Sequence, residues 1–379
     1  MSLQTRFVAA GALVAVLAAA GALWPRSWQT SAGPNAPVPL PPATADAAEP
    51  VPAPPVPPVV TPPPTPLEPE RVVYAGPVEH IFFHPLVAFP ELAFDGDGLA
   101  QGYNDWFVTV PEFRQIMEQL YANGYMLVDI QAAVTPGKLR LPPGKKPLVL
   151  SVDDINYYDY MRANGNVYKL VLDSEGRVAT YAVTPAGEPI LAYDNEIVPL
   201  VDAFVARHPD FSLDGAKGVL ALTGYEGILG YRTNELQAPS YPLEKAEALQ
   251  VVQRLKETGW SFASHSWGHQ DAAKLSLGSL ERDTQRWKAE VESLIGPTPV
   301  YIYPFGSGLQ PEDPKFAMLQ RLGFRIFCGV GPTPYLHTAD GYAIMDRRHI
   351  DGMALQQQKK LIAPLFDADS VLDPVREER

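Results

Sequence analysis

The stretch Leu148-Val149-Leu150-Ser151-Val152-Asp153-Asp154 joins a run of apolar residues directly to two acids. A short apolar run of this kind is typical of a fully buried strand in a parallel sheet. Neighbouring residues at a strand end point in different directions, so Asp153 and Asp154 can serve two different roles. One carboxylate can bind a metal ion while the other handles a proton. Taken alone, such a pair is also common in turns and helix caps.

Strands and helices alternate on both sides of this stretch. The predicted elements are strands over 78–83, 125–130, 147–152, 218–223, 261–264, 299–304 and 324–330, with helices over 110–121, 196–207, 243–258, 280–294 and 314–322. Short connections between them indicate an α/β fold with a parallel sheet covered by helices, and a (β/α) barrel is the closure that we expect. The polar motifs fall just past the strands, where such barrels place their active sites.

One region interrupts this alternation. Between 167 and 193 apolar and polar residues alternate around two turn sequences, which indicates a β-meander. We interpret 156–217 as an insertion into the barrel. It either reshapes the substrate cleft or provides a docking surface.

The second chemical motif is His265-Ser266-Trp267-Gly268-His269, which follows a predicted strand. Two histidines four positions apart on a helical turn face the same side and can bind one divalent ion. Together with one carboxylate they form a ligand set with open positions, as catalytic metal sites have. Such a site activates water, and the second carboxylate would accept the proton of that water.

These motifs, together with Tyr301-Ile302-Tyr303-Pro304-Phe305-Gly306, resemble those of the polysaccharide deacetylases of carbohydrate esterase family four. The resemblance covers roughly 78–352 and implies a distorted (β/α) barrel. It implies that Asp153 is the general base and that Asp154, His265 and His269 bind a divalent metal, usually Zn²⁺. It also implies that Tyr303, Pro304 and Phe305 form one wall of an acetyl groove, and that the substrate is an acetylated polysaccharide.

The sequence departs from the pattern of that family at several positions. Ile155 replaces a glycine after the acid pair, and an aromatic run follows it. Ile302 stands near the place of an arginine that normally orients the base. Arg347 is a possible replacement, although it could equally form a surface salt bridge. The general acid stays open among three histidines, namely His84, His337 and His349.

The amino-terminal part of the chain predicts export. Residues 7–24 are apolar throughout, so we interpret 1–26 as a membrane anchor or a signal peptide. Residues 27–71 are rich in proline and form a predicted extended linker. The catalytic domain is then 72–379, secreted or anchored at the extracytoplasmic face and in contact with the membrane only through the first segment.

The formal charge of −13 argues against nucleic acid as a partner, because an acidic surface repels phosphate. Cys328 is the single cysteine, and we expect it to be buried in the core. Two further hypotheses remain open. The barrel could bind glycan without turnover, or it could be a metal-dependent hydrolase of a non-glycan amide or ester.

Overall fold

The structure is a computed structural model that describes residues 70–376. The predicted amino-terminal segment, 1–26, and most of the proline-rich linker, 27–71, lie outside the described residues, as do 377–379. Among 70–376, no helix is both long enough and apolar enough to cross a bilayer.

The strands follow one another in the order that the sequence pattern indicates, with two short additional strands early in the described chain and two more near its end. They are β1 (Val72–Val73), β2 (Glu79–Phe83), β3 (Tyr125–Leu127), β4 (Arg140–Leu141), β5 (Lys146–Asp153), β6 (Lys169–Leu172), β7 (Val178–Val183), β8 (Pro189–Ala192), β9 (Gly218–Leu222), β10 (Trp260–Ser264), β11 (Val300–Ile302), β12 (Ile326–Val330), β13 (Tyr335–Ala339) and β14 (Tyr342–His349).

Seven of these strands form a closed parallel barrel, which confirms the predicted fold class. Around the barrel the order is β2, β5, β9, β10, β11, β12 and β14, and β14 pairs with β2 to close the ring. The order of the strands around the barrel is thus the same as their order along the sequence. β14 and its antiparallel partner β13 were not predicted, although β14 closes the barrel.

Helices cover the outside of the barrel. They are α1 (Pro90–Ala93), α2 (Ala100–Trp106), α3 (Val110–Ala122), α4 (Ile130–Val134), α5 (Asp159–Ala163), α6 (Ile197–Arg207), α7 (Tyr241–Glu257), α8 (Leu277–Trp287), α9 (Ser293–Ile295), α10 (Pro314–Arg321), α11 (Gly352–Gln357), α12 (Lys359–Ile362) and α13 (Ala368–Val371).

Helix α3 shows how local sequence sets these elements. Thr109 and Glu112 form a capping box at its start, with each side chain bonded to the backbone of the other residue. Its apolar residues Phe113, Ile116, Met117 and Leu120 are buried. Glu112 also pairs with Arg376 at 2.6 Å, which ties the end of the described chain back to this helix.

The predicted β-meander is present as a three-stranded antiparallel sheet of β6, β7 and β8. It packs against α6 and α7 on the outside of the barrel. The predicted meander is therefore confirmed. Its role, in reshaping the substrate cleft or in docking, stays a prediction.

Side chains alternate along each barrel strand between the interior and the surrounding helices. In β5, Leu148, Leu150 and Val152 belong to the core beneath the helices. Val149 belongs to the core inside the barrel, together with Cys328, which is fully buried as expected. The alternation therefore directs the next interior residue at the strand end, Asp153, toward the barrel axis.

Candidate active site

The polar residues singled out in the sequence lie together at the carboxyl end of the barrel, past the ends of its strands. Asp153 is the last residue of β5, and His265 follows β10 directly. Phe305 comes shortly after β11, and His84 follows β2. Side chains from four strands therefore converge where an α/β barrel normally places its chemistry.

The two neighbouring acids diverge because the backbone turns between them. Asp153 belongs to the strand, whereas Asp154 has a φ of 57°, in the left-handed region that few non-glycine residues adopt. Both are buried, with exposed fractions of 3% and 6%. Each carboxylate consequently has its own set of partners.

Asp154, His265 and His269 form a candidate metal site. One possible ligand atom from each lies within 4.8 Å of the others. The Nε2 atom of His269 is 3.6 Å from Asp154 Oδ2, and the Nε2 atom of His265 is 4.0 Å from Asp154 Oδ1. Zinc bonds of ~2.0–2.2 Å would place ligand atoms on the order of 3–4 Å apart, so this donor set fits Zn²⁺.

The partner of the second nitrogen of His265 supports the same interpretation. His265 Nδ1 donates a hydrogen bond to the backbone oxygen of Ile302 at 2.9 Å. A carbonyl can only accept, so Nδ1 carries a proton, and Nε2 is the ring nitrogen that faces Asp154. Metal-binding histidines are usually oriented in this way.

The segment that carries both histidines is a loop, so the prediction of a helical turn is wrong. Ser266 and His269 have φ angles of 63° and 49°, which an α-helix does not allow. The carboxylate of Asp283 accepts the backbone N–H groups of Trp267 at 2.8 Å and of Gly268 at 2.9 Å. This side chain from α8 satisfies donors that a helix would have satisfied internally, and it thereby stabilises the loop.

Trp267 fixes the same loop from the other side. Its indole N–H donates to Glu290 at 2.8 Å, and the Arg286 guanidinium lies 3.4 Å from the ring centroid. Its backbone oxygen accepts the N–H groups of Gly224 and Tyr225 at 2.9 and 3.1 Å. The residues between the two candidate ligands are therefore firmly positioned.

Arg347 is the partner of Asp153. Its Nη1 donates to Asp153 Oδ1 at 2.7 Å and to Ser151 Oγ at 3.3 Å, and its guanidinium lies 4.0 Å from the Phe82 ring centroid. Its exposed fraction is 1%, so the surface salt-bridge interpretation is wrong. β14 therefore supplies Asp153 with an arginine, where the third motif has Ile302.

The charge of Arg347 determines the protonation of Asp153. Burial by itself would raise the pKa of this carboxyl, but the charge and hydrogen bond of Arg347, with His265, hold its pKa below the usual range. Asp153 is therefore ionised at neutral pH. Its second oxygen, Oδ2, lies 3.8 Å from His265 Nε2 and faces the candidate metal site.

The three histidines left open as general acids occupy different places. His84 Nε2 lies 3.9 Å from Asp154 Oδ2. His349 lies behind it, with Nε2 3.1 Å from His84 Nδ1 and Nδ1 2.8 Å from Asp351. His337 is on β13, outside the barrel ring, where it contacts Tyr342. Of the three, His84 is the one whose ring reaches the acid pair.

Burial and the neighbouring His349 lower the pKa of His84 to about 4, against the opposing effect of the two aspartates. The His84 ring is therefore neutral at pH 7. A hydrogen bond between His84 Nδ1 and His349 Nε2 holds the His84 ring in its orientation.

The third motif contributes mainly through one side chain. Tyr303 and Pro304 are buried, and the Tyr303 ring packs against Tyr301 and Phe327. Phe305 has a φ of 59°, and its ring centroid is 4.6 Å from that of His269. Phe305 is thus the residue of this motif that borders the candidate metal site.

Sequence reasoning missed Tyr158 as a partner of the site. Its hydroxyl donates to Asp154 Oδ1 at 2.7 Å, and the side chain is 1% exposed. The one available signal was the aromatic run after the acid pair, which an apolar core would explain equally well.

Residues 233–327 match the family described as polysaccharide deacetylase, which confirms the resemblance drawn from the motifs. The matched segment contains His265, His269 and the third motif. Asp153 and Asp154 precede it, and Arg347 follows it. No curated protein matches the sequence.

Several solved structures show distant similarity to this chain. The Streptococcus pyogenes deacetylase PplD in complex with acetate is 15% identical, with 74% of this chain and 97% of that chain covered and a TM-score of 0.44. A de-N-acetylase from Aggregatibacter actinomycetemcomitans is 15% identical, with 77% and 100% covered and a TM-score of 0.45. IcaB from Ammonifex degensii is 11% identical, with 74% and 94% covered and a TM-score of 0.41.

Proposed function

We propose that this chain is a metal-dependent hydrolase that removes acetyl groups from an extracytoplasmic polysaccharide. The observation that carries the proposal is the convergence of Asp154, His265 and His269 beside a second, separately held carboxylate, Asp153. The family match over 233–327 supports the substrate class.

We further propose that 72–379 is the catalytic domain and that 27–71 links it to an amino-terminal segment, 1–26. That segment would export the domain, as a cleaved signal or as an anchor in the membrane. The apolar run of 7–24 supports this part of the proposal.

In the proposed reaction Asp153 is the general base. Its Oδ1 is held by Arg347, so Oδ2 is left to accept the proton of the attacking water. A bound divalent ion, for which we propose Zn²⁺ held by Asp154, His265 and His269, supplies Lewis-acid chemistry that polarises the acetyl carbonyl and acidifies water.

His84 is neutral at pH 7, so we propose that it lies beside the leaving amine or alcohol and that this group receives the proton that Asp153 has taken from water. Its Nε2 lies 3.9 Å from Asp154 Oδ2, and His349 holds its other nitrogen. Asp351 fixes His349 in turn at 2.8 Å. This chain of contacts orients the His84 ring toward the place where the acetyl group would react.

The third motif would form one wall of the acetyl groove. Phe305 presents its ring beside His269. Tyr303 and Pro304 are buried behind it and define the turn that places Phe305 there.

Metal content and acetate release, measured together on the full chain, test this proposal. We expect the wild-type protein to bind a divalent ion and to release acetate from an acetylated polysaccharide. His265→Ala should lose both while circular dichroism shows that it stays folded. His208→Ala provides a matched control, because His208 follows α6 and its ring contacts Tyr121 on α3.

Retention of metal and activity by His265→Ala would refute the site assignment. Binding of glycan without acetate release by the metal-loaded wild type would favour a binding module. Acetate release from small amides or esters, with none from acetylated sugars, would favour a hydrolase of a non-glycan substrate.

A further inference from the structure

Tyr158 stands in direct contact with the carboxylate that the proposed function assigns to the metal. Its hydroxyl lies 2.7 Å from Asp154 Oδ1 and 2.6 Å from Thr223 Oγ1. In the first of these contacts the Tyr158 hydroxyl donates and the carboxylate oxygen of Asp154 accepts. The single hydroxyl proton of Tyr158 is therefore used on Asp154, and Thr223 must donate to the Tyr158 oxygen.

The segment that carries Tyr158 is held rigidly. The side-chain amide of Asn156 donates to the Thr223 backbone oxygen at 3.0 Å, and the Thr223 N–H donates back to Asn156 Oδ1 at 3.2 Å. The Tyr158 ring stacks on Tyr225 with centroids 4.7 Å apart. The hydroxyl is consequently presented to Asp154 in one fixed place.

This contact divides the two oxygens of Asp154 between two tasks. Oδ1 accepts from Tyr158 and lies 4.0 Å from His265 Nε2, while Oδ2 lies 3.6 Å from His269 Nε2. A carboxylate whose one oxygen is held by a charge-assisted hydrogen bond cannot rotate freely and presents the other oxygen as a single ligand atom.

We infer that Tyr158 is a positioning residue that orients Asp154 for metal binding, so that the loop opening the insertion sets the affinity of the site. The inference rests on the proposed function, because it takes Asp154, His265 and His269 as the ligands. Tyr158 belongs to the aromatic run that follows Ile155, the residue that stands where the polysaccharide deacetylases have a glycine.

The test is the affinity of the metal-free full chain for Zn²⁺, measured by competition with a chromogenic chelator. Loss of a partner of this kind typically weakens metal binding ~10- to 100-fold, which is what we expect for Tyr158→Phe. Tyr301→Phe is the matched control, because Tyr301 is fully buried and its hydroxyl has no hydrogen-bond partner within 70–376. Its Kd should stay within about twofold of the wild-type value, well below that loss.

A second variant and a rescue separate positioning from a general loss of structure. Thr223→Val removes the donor to the Tyr158 oxygen and should weaken binding by less than Tyr158→Phe. Excess Zn²⁺ should restore the acetate release of Tyr158→Phe, which a misfolded site would not allow. If Tyr158→Phe fails to fold, the Zn²⁺ affinity of Thr223→Val decides, and an unchanged Kd there overturns the inference.

The Zn²⁺ affinities of the wild type and of Tyr158→Phe distinguish failure of the proposed function from failure of this inference. A wild-type chain without Zn²⁺ affinity overturns the proposed function and this inference together. A wild-type chain that binds Zn²⁺, with Tyr158→Phe binding equally well, overturns the inference alone.

Discussion

The chain turns through left-handed backbone positions at both ends of the barrel, but different residue types occupy those positions at the two ends. At the amino end, the left-handed positions shortly before the strands are mostly glycines, namely Gly124, Gly144, Gly215, Gly259, Gly296 and Gly323. At the carboxyl end, side chains occupy such positions, namely Asp154, Tyr157, Ser266, His269 and Phe305. Glycine adopts this conformation without a steric cost, whereas other residues cost of order 1–3 kcal/mol each.

This difference in residue type fits a candidate active site at the carboxyl end of the barrel. A turn that only connects elements can use glycine, but a turn that must present a carboxylate or an imidazole cannot. The carboxyl end therefore combines backbone strain with buried charge, and both are stabilised by partners such as Asp283 and Arg347. Changes at this end should alter chemistry, and changes at the amino end should alter stability alone.

The largest expected effect is that of Asp153→Asn. The amide cannot accept the proton of water, so kcat should fall by about 10²- to 10⁴-fold while metal content is unchanged. Asp214→Asn makes the same change at the amino end, where Asp214 is exposed, left-handed and paired with Arg71. Acetate release by Asp214→Asn should equal that of the wild type, and a comparable loss in both variants would contradict the division between the ends.

Arg347→Met should affect chemistry and stability together. It leaves Asp153 buried without its cation, which typically costs about 3–5 kcal/mol of unfolding free energy, and it raises the pKa of the base. We expect a lower kcat per folded molecule and a lower Tm by calorimetry.

The neighbouring arginine provides the control for that experiment. Arg348 is on the same strand but pairs with Glu79 at 3.0 Å, away from the acid pair. Arg348→Met should lower Tm and leave the kcat of the folded fraction unchanged. Equal losses of kcat in both variants would show that Arg347 acts through stability only.

Glu196→Gln tests a buried acid that does not face the metal site. Burial raises the pKa of Glu196 to about 8, although the backbone N–H groups of Ile197 and Leu86 oppose this shift. Between about pH 4.3, the unfolded value, and pH 8 the folded chain keeps a proton that the unfolded chain has released. The wild-type protein should therefore lose stability as pH rises through this window.

The variant lacks this titration, so it should be more stable than the wild type at pH 8 by on the order of a few kcal/mol, with little difference at pH 4. Denaturant unfolding of the metal-free proteins at several pH values measures this. Parallel pH profiles for the two proteins would contradict the expectation.

The smallest effects are expected from two glycines at the amino end. Gly323 has a φ of 108° and no heavy atom within 4 Å of the place a Cβ would take, whereas a Cβ on Gly259, with a φ of 98°, would lie 1.9 Å from the Gly215 oxygen. Gly323→Ala should cost about 1 kcal/mol and Gly259→Ala about 3 kcal/mol, because the second adds a steric clash to the conformational cost. Chemical denaturation measures both, and kcat should change in neither.

The sequence predicted the acid pair and the histidine pair because each follows an apolar strand, and strand ends in a parallel barrel meet. It did not predict β14, since Asp346, Arg347 and Arg348 in its centre are typical of an exposed, charged segment. The burial of the two arginines depends on Asp153 and Glu79, which lie far away in the sequence. Only the fold brings such partners together.

The prediction for the histidine segment failed for a related reason. A spacing of four residues fits one turn of helix, and nothing local excludes it. The loop is instead held by Asp283, which lies on the following helix. Tyr158 was missed because an aromatic side chain predicts packing, while its hydroxyl partner is set by the left-handed turn at Asp154.

The late position of β14 has a consequence for how the protein is made. Asp153, the proposed general base, and Arg347 are 194 residues apart in the chain, and the strand that carries Arg347 also joins β2 to β12. A nascent chain that stops before Tyr342 leaves both of those edges unpaired and Asp153 without its cation. The pairing of β14 therefore completes the candidate active site and covers the exposed edges of β2 and β12 at the same late stage of biosynthesis.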